Sequence, residues 1–264
     1  MLRTRIITAL IAFPVAVVSV QTGGILFLMA VALVALIAGW EFGRMMRAGG
    51  YKTTPVITLG FIGLLLLEAY RSYLNLSCII SAVLLTSIVW QLFKGDSKAP
   101  TADWALTLAG GLYIGWGAAQ LIAMRQLSEG MAWVWLALLA TWGADIFAYL
   151  VGRALGRRKL WPRLSPKKTW EGLFGGVFGS MLGAGIVIYL FHLDWVDALI
   201  VGSIVPFVSL FGDLSISMMK RHVGVKDSSN LFPGHGGFLD RLDSMLFVSI
   251  VVYNYAVWIA FLTP

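Results

Sequence analysis

Long apolar stretches separated by short polar segments follow one another along the whole chain. None of them alternates apolar and polar residues with the two-residue period of a β-strand. A helix needs about 20 apolar residues to cross a bilayer, so the pattern predicts an all-α, polytopic integral membrane protein with about nine transmembrane helices. The nine stretches are residues 6–20, 25–40, 56–69, 76–93, 104–124, 131–151, 173–191, 195–219 and 242–262. The third is short and carries Glu68 near its end, which makes it the weakest span of the nine.

The composition agrees with a membrane protein. Of the 264 residues, 59% are hydrophobic and 12% are charged, whereas a soluble globular chain is about half apolar and about a quarter charged. These values exclude a soluble enzyme, which needs polar surface on all sides, and a disordered chain, whose hydrophobicity is low. The lone cysteine, Cys78, has no intramolecular partner, which excludes a disulfide-stabilised secreted module.

The positions of the cations orient the predicted helices. Lys and Arg gather on the cytoplasmic side of membrane proteins, and nine spans place the two termini on opposite sides. With a cytoplasmic N-terminus, 18 of the 20 Lys and Arg residues face the cytoplasm, and only Arg71 and Arg125 face outside. Arg3 and Arg5 before an apolar run are also typical of a signal peptide, but residues 18–22 offer no small-x-small cleavage site. We therefore expect the first helix to be retained.

Polar residues that are able to carry chemistry concentrate in the second half of the chain. Residues 1–130 are expected to form a mostly apolar scaffold that offers oligomer contacts. Residues 131–264 are expected to carry the catalytic site, and no linker separates the two parts, so we predict one integrated membrane domain. The net charge of +7 is compatible with nucleic acid, anionic lipid or a polyphosphate substrate, and the position of the charge decides between them.

Most of that charge lies in one predicted cytoplasmic loop, residues 152–172. The loop holds seven cations and one anion. Residues 153–159 favour contact with anionic lipid headgroups, to which each surface cation contributes about 1 kcal/mol, over a catalytic role.

The end of this loop, residues 165–172, contains a proline and a glycine that restrict or shape the backbone. Thr169 and Gly172 predict a turn or a helix start whose N–H groups bind phosphate. A solvated basic loop needs no such order. For Lys167 and Lys168 we therefore favour phosphate binding.

Two acids lie inside predicted helices. Asp213 interrupts an apolar helix, where a carboxylate costs about 3 kcal/mol on insertion scales. Ser217 and Lys220 or Arg221 share its face at helical spacing, so pairing with a nearby cation is the structural alternative to a functional role. Asp145 lies deep in the sixth helix and either lines a site or makes a helix–helix hydrogen bond.

The segment of residues 226–243, the signature segment, is expected to supply partners for Asp213. Its proline and glycines let the backbone fold tightly around His235 and approach a ligand closely. We favour His235 as a hydrogen-bonding group for a phosphate or for the turn itself over His235 as a lone metal ligand. Asp240 and Asp243 follow three residues apart, on one face of the first turn of the ninth helix. Capping of that helix explains Asp240 but not both aspartates.

Carboxylates in this arrangement suit Mg²⁺, which binds through one or two carboxylates together with substrate phosphates. Asp213 with Asp240 or Asp243 meets this need if the eighth and ninth helices pack side by side. The three histidines are far apart in sequence, so a metal site built on a histidine cluster is not expected. Neither a serine nucleophile elbow nor a Walker loop is present in the sequence.

Two stretches of the chain carry a resemblance to a known family. The first reads Ser217-x-x-Lys220-Arg221, then Lys226-Asp227, then Phe232-Pro-Gly-His-Gly-Gly-Phe-Leu-Asp240-Arg241-Leu-Asp243, and the second reads Ser165-Pro-Lys-Lys-Thr-Trp-Glu-Gly172. Together they resemble the two recurring segments of the phosphatidate cytidylyltransferase family, also called CDP-diacylglycerol synthases. One departure follows Asp145, where the family tends to have a small residue two positions on and this chain has Phe147.

The resemblance implies that CTP and phosphatidic acid react to give CDP-diacylglycerol and pyrophosphate, in phospholipid biosynthesis. It implies a requirement for Mg²⁺, with K⁺ as a candidate second ion, and a homodimer. It also implies a multi-pass protein of the plasma membrane, which in bacteria is the inner membrane, with the active site facing the cytoplasm. Nucleic acid is not an expected partner.

The resemblance also implies roles for individual residues. Asp213 and Asp240 are the expected metal ligands, with Asp243 as a further ligand and Asp227 in support. Phosphate contacts and stabilisation of charge on pyrophosphate are expected from Lys220, Arg221, Lys226 and Arg241. The remaining substrate-binding residues are expected to be Asp145, Ser165, Lys167, Lys168, Thr169, Ser217, His235, Gly236 and Gly237.

Two other functions fit parts of the sequence. A CTP-dependent kinase of a polyprenol or similar lipid alcohol would also bind a polyphosphate and a substrate in the bilayer. It needs a base to activate a neutral hydroxyl, and it releases CDP rather than pyrophosphate. A transporter or channel would use Asp145 and Asp213 to line an ion path. Against it, the charged residues gather at the predicted cytoplasmic ends of the helices, with no matching set outside.

Overall fold

The computed structural model describes residues 13–72, 74–95, 97–229 and 236–262. Within these residues the chain forms nine helices and one short β-hairpin, and each predicted apolar stretch overlaps one of the helices. The helices are α1 (Phe13–Thr22), α2 (Gly24–Ala48), α3 (Pro55–Arg71), α4 (Leu76–Phe93), α5 (Pro100–Arg125), α6 (Gly130–Leu155), α7 (Trp170–Phe191), α8 (Trp195–His222) and α9 (Leu239–Leu262), and the strands are β1 (Lys159–Trp161) and β2 (Ser165–Thr169).

Seven of the described helices, α2 and α4 to α9, are long and apolar enough to cross a membrane. α3 has 17 residues and α1 is described over Phe13–Thr22 only, so both fall short of an 18-residue span. The prediction of an all-α polytopic membrane protein is confirmed at this level. Nine spans and a cytoplasmic N-terminus stay predictions.

Several helices run beyond the apolar stretches that predicted them. α2 continues past residue 40 to Ala48, and α8 continues past residue 219 to His222. An apolar stretch marks only the part of a helix that faces lipid, whereas backbone hydrogen bonding continues through good helix formers such as Glu, Met, Lys and Arg. α9 begins at Leu239, which places Asp240 in its first turn, as the sequence predicts.

In the part of the chain that the structure describes, the β-hairpin is the one element that the apolar pattern missed. β1 and β2 pair antiparallel, with Lys159 opposite Thr169 and Trp161 opposite Ser165. Strands of three and five residues are too short to show an alternating pattern, and most of their residues are polar. The basic loop between the sixth and seventh predicted helices is therefore an ordered element.

The chain divides into two compact units. The first unit comprises Met1–Ala123 and Met219–Leu242, and the second comprises Met124–Met218 and Asp243–Pro264. α8 and α9 each contribute residues to both units. The return of residues Met219–Leu242 to the first unit has no signal in the sequence.

In the first unit, α2 is held by close contacts with α3 and α5. A Cβ atom at Gly39 would overlap the side chain of Ile62 on α3, and one at Gly110 on α5 would overlap the ring of Phe42. Phe42 is 1% exposed. These two contacts involve residues on either side of Glu41 in the sequence of α2.

In the second unit, α6 and α7 pack through glycine. A Cβ atom at Gly143 would overlap the backbone of Gly179, and one at Gly179 would overlap both the backbone of Gly143 and the side chain of Phe147. The ring of Phe147 also meets Phe178 edge-on, with the ring centroids 5.5 Å apart. Small residues let membrane helices approach closely. Gly176 on α7 lies against the carbonyl oxygen of Ala144, so the seam passes directly beside Asp145 on α6.

Candidate active site

A cavity of about 600 Å³ lies within the second unit, between α6, the hairpin, α7 and α8. Its charged lining consists of four cations and two carboxylates, from Arg153, Lys159, Lys167, Lys168, Asp145 and Asp213. Ser165 and Thr169 line the same cavity. The structure thus brings together Asp145 of α6, the predicted site residues of the hairpin and Asp213 of α8. An excess of cations in a concave site favours an anionic ligand.

Lys168 and Asp213 form an ion pair in the wall of this cavity. Nζ of Lys168 lies 2.5 Å from Oδ2 of Asp213, and the two side chains are 27% and 28% exposed. The hydroxyl of Ser217 donates a hydrogen bond to Oδ1 of Asp213 over 3.3 Å. The cation that pairs with Asp213 therefore comes from the hairpin and not from the next turns of α8. Because both side chains keep part of their surface open, their charges are accessible to a ligand in the cavity.

The hairpin that carries the paired lysines is fixed at both ends. Thr169 caps α7 by accepting a hydrogen bond from the backbone N–H of Gly172 over 3.1 Å. This confirms the predicted helix start, but it also engages one of the N–H groups expected to bind phosphate. The carboxylate of Glu171 accepts hydrogen bonds from the backbone N–H groups of Arg157 at 3.1 Å and Arg158 at 3.2 Å. These bonds hold the basic loop against the first turn of α7.

α8 and α9 approach each other closely beside Asp213. A Cβ atom at Gly212 would overlap the carbonyl oxygen of Asp243, and the hydroxyl of Ser244 donates to the carbonyl oxygen of Ser209 over 3.2 Å. Asp243 is buried, with 7% of its surface exposed. The condition that the sequence set for a shared carboxylate site, packing of these two helices side by side, is met within the second unit.

Asp240 belongs to the first unit and is fully engaged there. Its Oδ1 lies 2.6 Å from Nζ of Lys220, and both side chains are 10% exposed. Its Oδ2 accepts hydrogen bonds from the backbone N–H groups of Ser228 at 2.8 Å and Gly237 at 3.0 Å, and from the Ser228 hydroxyl at 2.8 Å. These partners precede α9. The Asp240 side chain therefore holds the signature segment and does not cap the helix.

Glu41 supplies the cap of α9, and the sequence did not predict it. This side chain on α2 has no exposed surface. Its carboxylate accepts hydrogen bonds from the backbone N–H groups of Phe238 at 3.1 Å and Leu239 at 2.8 Å. It also accepts from the hydroxyls of Ser228 at 3.1 Å and Ser229 at 2.5 Å. The only signal in the sequence is an acid directly after an apolar stretch.

The remaining predicted site residues differ in their exposure to solvent. Four of them are exposed: Arg221, Lys226, Asp227 and Arg241. Gly236 is buried with φ +74°, a backbone conformation that favours glycine, and a Cβ atom there would crowd the carboxylate of Asp240. His235 lies outside the described residues.

The comparison with known families covers the residues that line the cavity and those around Asp240 and Glu41. A sequence profile described as the cytidylyltransferase family matches residues 3–259. The chain belongs to the cytidylyltransferase family. The resemblance drawn from the two sequence stretches is therefore confirmed.

Curated relatives match this chain almost from end to end. The phosphatidate cytidylyltransferase of Pseudomonas aeruginosa is 36% identical, and the alignment covers 98% of each chain. The phosphatidate cytidylyltransferases of Bacillus subtilis and Synechocystis are 33% and 34% identical, with 96% of each chain covered. The alignment with each relative thus extends over nearly the whole membrane protein and not over an isolated motif.

Proposed function

We propose that this chain condenses CTP with phosphatidic acid to give CDP-diacylglycerol and pyrophosphate, a step of phospholipid biosynthesis. Relatives that match nearly the whole chain carry the name of this activity. The observation that carries the proposal is the cavity of the second unit, where the paired lysines and two carboxylates line one space. Two phosphate-bearing substrates need such cations to offset their mutual repulsion.

The proposed reaction is an in-line displacement at the α-phosphorus of CTP. A phosphate oxygen of phosphatidic acid forms the new P–O bond, and the bond from the α-phosphorus to the pyrophosphate oxygen breaks. The attacking oxygen is already anionic near neutral pH, so the enzyme does not need a strong general base. Its main tasks are alignment of the reacting groups and stabilisation of charge.

Basic side chains hold the phosphates in this proposal. Lys167 and Lys168 line the cavity, and the ion pair with Asp213 holds the ammonium group of Lys168 in place. Four further cations stabilise the charge that develops on pyrophosphate. They are Lys220, Arg221, Lys226 and Arg241. The other proposed substrate contacts come from Asp145, Ser165, Thr169, Ser217, His235, Gly236 and Gly237.

The carboxylates fit Mg²⁺ as a metal shared with substrate. Among the described residues, no group of three or more His, Cys, Asp or Glu side chains is placed to hold a metal, and Mg²⁺ binds through one or two carboxylates plus phosphates. Asp213 lines the cavity and is our first ligand, with either Asp240 or Asp243 as the second. When bound, Mg²⁺ offsets negative charge on the phosphates. Asp227 in support and K⁺ as a second ion complete this assignment.

The direct test uses purified protein in detergent micelles with CTP and phosphatidic acid. We expect CDP-diacylglycerol and pyrophosphate to form in equal amounts, and we expect no product when the lipid or Mg²⁺ is omitted. Release of CDP with a phosphorylated lipid alcohol would instead indicate the kinase. Ion flux into vesicles without CTP would indicate the transporter.

The carboxylate assignment has its own test. Asp213→Asn and Asp240→Asn keep the size of the side chain and remove its charge, so CDP-diacylglycerol formation should be abolished in protein that remains folded. Lys98→Met is the control, because Lys98 is exposed and belongs neither to the cavity lining nor to the contacts of Asp240 and Glu41. More than about a tenth of the wild-type rate in Asp213→Asn would contradict its role as a ligand.

A further inference from the structure

Glu41 is a buried acid for which the proposed chemistry has no role. It lies on α2, in the part of the chain that the sequence predicts to be scaffold, and its side chain is completely buried. A buried carboxylate is costly unless hydrogen-bond donors surround it. The identity of its donors therefore shows what the side chain is placed to hold.

All four of the donors described above come from the signature segment. Two are hydroxyls at its beginning, on Ser228 and Ser229, and two are backbone N–H groups at its end, on Phe238 and Leu239. The partners are 187 to 198 residues away from Glu41 along the chain. One carboxylate thus ties both flanks of the segment to α2.

Asp240 binds the same two flanks from within the segment. It accepts hydrogen bonds from Ser228 at the beginning and from Gly237 at the end, and it pairs with Lys220. The hydroxyl of Ser228 lies 3.1 Å from Glu41 and 2.8 Å from Asp240, and so contacts both carboxylates. The position of the Lys220–Asp240 pair therefore depends on flanks that Glu41 also holds.

The Glu41 carboxylate lies directly against the backbone at Gly237. A Cβ atom at Gly237 would overlap the Glu41 carboxylate, so this carboxylate occupies the space that any other residue at Gly237 would fill. The N–H groups of Phe238 and Leu239 are the first of α9, where a carboxylate also interacts favourably with the positive end of the helix dipole. The two oxygens of the carboxylate satisfy two hydroxyls and two N–H groups together.

We infer that Glu41 is a positioning residue of the nucleotide site. By holding both flanks of the signature segment, it sets the place of the Lys220–Asp240 pair and of Gly236 and Gly237. The inference rests on the proposed function, because it takes the signature segment to bind the triphosphate of CTP. Glu41 itself contacts protein donors and not the reacting atoms.

The test compares Glu41→Gln with Glu68→Gln. Glu68 is a partly buried acid on α3 whose carboxylate accepts the N–H of Leu74. The glutamine at position 41 keeps the size of the side chain but can no longer accept from all four donors. We expect the KM for CTP to rise by about tenfold or more, as for residues that orient a ligand-binding group, while the KM for phosphatidic acid stays within about twofold. Glu68→Gln should leave both constants unchanged.

Amide hydrogen exchange gives a second measurement that does not depend on activity. Residues 236–240 should exchange faster in Glu41→Gln than in the wild type and at the wild-type rate in Glu68→Gln. If Glu41→Gln does not fold, Ser229→Ala removes a single donor and should change the same two quantities in the same direction by a smaller factor.

The outcomes separate this inference from the proposed function. If the wild type makes no CDP-diacylglycerol, the proposed function fails, and hydrogen exchange still decides whether Glu41 holds the segment. If the wild type is active and the KM for CTP stays within about twofold in the variants, the inference is overturned. An equal rise in the KM for both substrates would also overturn it, because it would indicate a general loss of structure.

Discussion

Three acidic side chains, Asp213, Asp240 and Glu41, are each held by hydrogen-bond or ion-pair partners. Asp213 is paired with Lys168 of the hairpin, Asp240 with Lys220, and Glu41 with hydroxyls and backbone N–H groups. Carboxylates in apolar surroundings are stable only with such partners. The difference among the three lies in exposure: Asp213 lines a cavity, whereas Asp240 and Glu41 are enclosed by the segment that they hold.

The sequence found two of these acids and missed the third for a physical reason. Asp213 interrupts an apolar helix and Asp240 lies in a signature, so both are visible from local sequence. Glu41 follows the apolar stretch of residues 25–40 and reads as the polar end of a span. Its partners come from almost the other end of the chain, and no local pattern reports such a contact.

At this scale we predict that Lys168→Met lowers the rate of CDP-diacylglycerol formation by about 100-fold, the usual effect of losing one charge-stabilising donor. The variant also removes the ammonium group that pairs with Asp213, so we expect the lower rate to persist at saturating CTP. Initial rates at saturating substrate are the measurement, and Lys98→Met is the matched control. A rate within about threefold of the wild type would show that the pair has no part in the reaction.

At the scale of elements, glycine determines how closely the helices pack. Gly143 and Gly179 let α6 and α7 meet backbone to backbone, and Gly212 lets α8 meet α9 beside Asp213. The apolar pattern predicts the positions of these helices well, because span length is fixed by the bilayer. It does not predict which faces meet, nor a hairpin of three and five residues, since both depend on contacts between distant residues.

The α6–α7 seam gives a stability prediction. Gly179→Ala should destabilise the protein by about 1 to 3 kcal/mol, because the added Cβ overlaps the backbone of Gly143. Gly185→Ala on the same helix is the control, since a Cβ there meets nothing within 4 Å. Thermal unfolding in detergent should show a lower midpoint for Gly179→Ala only. Equal midpoints for the two variants would contradict the close packing.

The α8–α9 contact gives an activity prediction. In Gly212→Ala the added Cβ meets the carbonyl oxygen of Asp243, so the two helices must separate next to Asp213. We expect a loss of activity of at least about tenfold, as for misplaced catalytic groups, with the Mg²⁺ concentration for half-maximal rate shifted upward. Wild-type activity and Mg²⁺ dependence would show that these two aspartates do not act together.

At the scale of the whole molecule, 18 of the 20 cations lie on one side in the predicted topology. Seven described helices have the length and composition of membrane spans, and α3 falls one residue short of the same length. Whether α3 crosses decides the side on which Arg71 lies. The charge distribution predicts that α3 crosses and that Arg71 lies outside, whereas helix length alone does not decide this.

Cysteine labelling in intact cells tests that orientation. In a Cys78→Ser background, a membrane-impermeant maleimide should label Arg71→Cys in intact cells and Arg163→Cys only after permeabilisation. Both positions are exposed, and Arg163 lies between the two hairpin strands. Labelling of Arg163→Cys in intact cells would reverse the topology. Labelling of Arg71→Cys only after permeabilisation would show that α3 does not cross.

The central claim is that a phosphate of the lipid displaces pyrophosphate from CTP. The most direct measurement supplies purified protein, Mg²⁺ and phosphatidic acid with CTP labelled separately at the α- and γ-phosphates. The account predicts that the α-label enters the lipid while the γ-label leaves as pyrophosphate, in equal amounts. Transfer of the γ-label to lipid with release of CDP, or absence of the α-label from lipid, would contradict it.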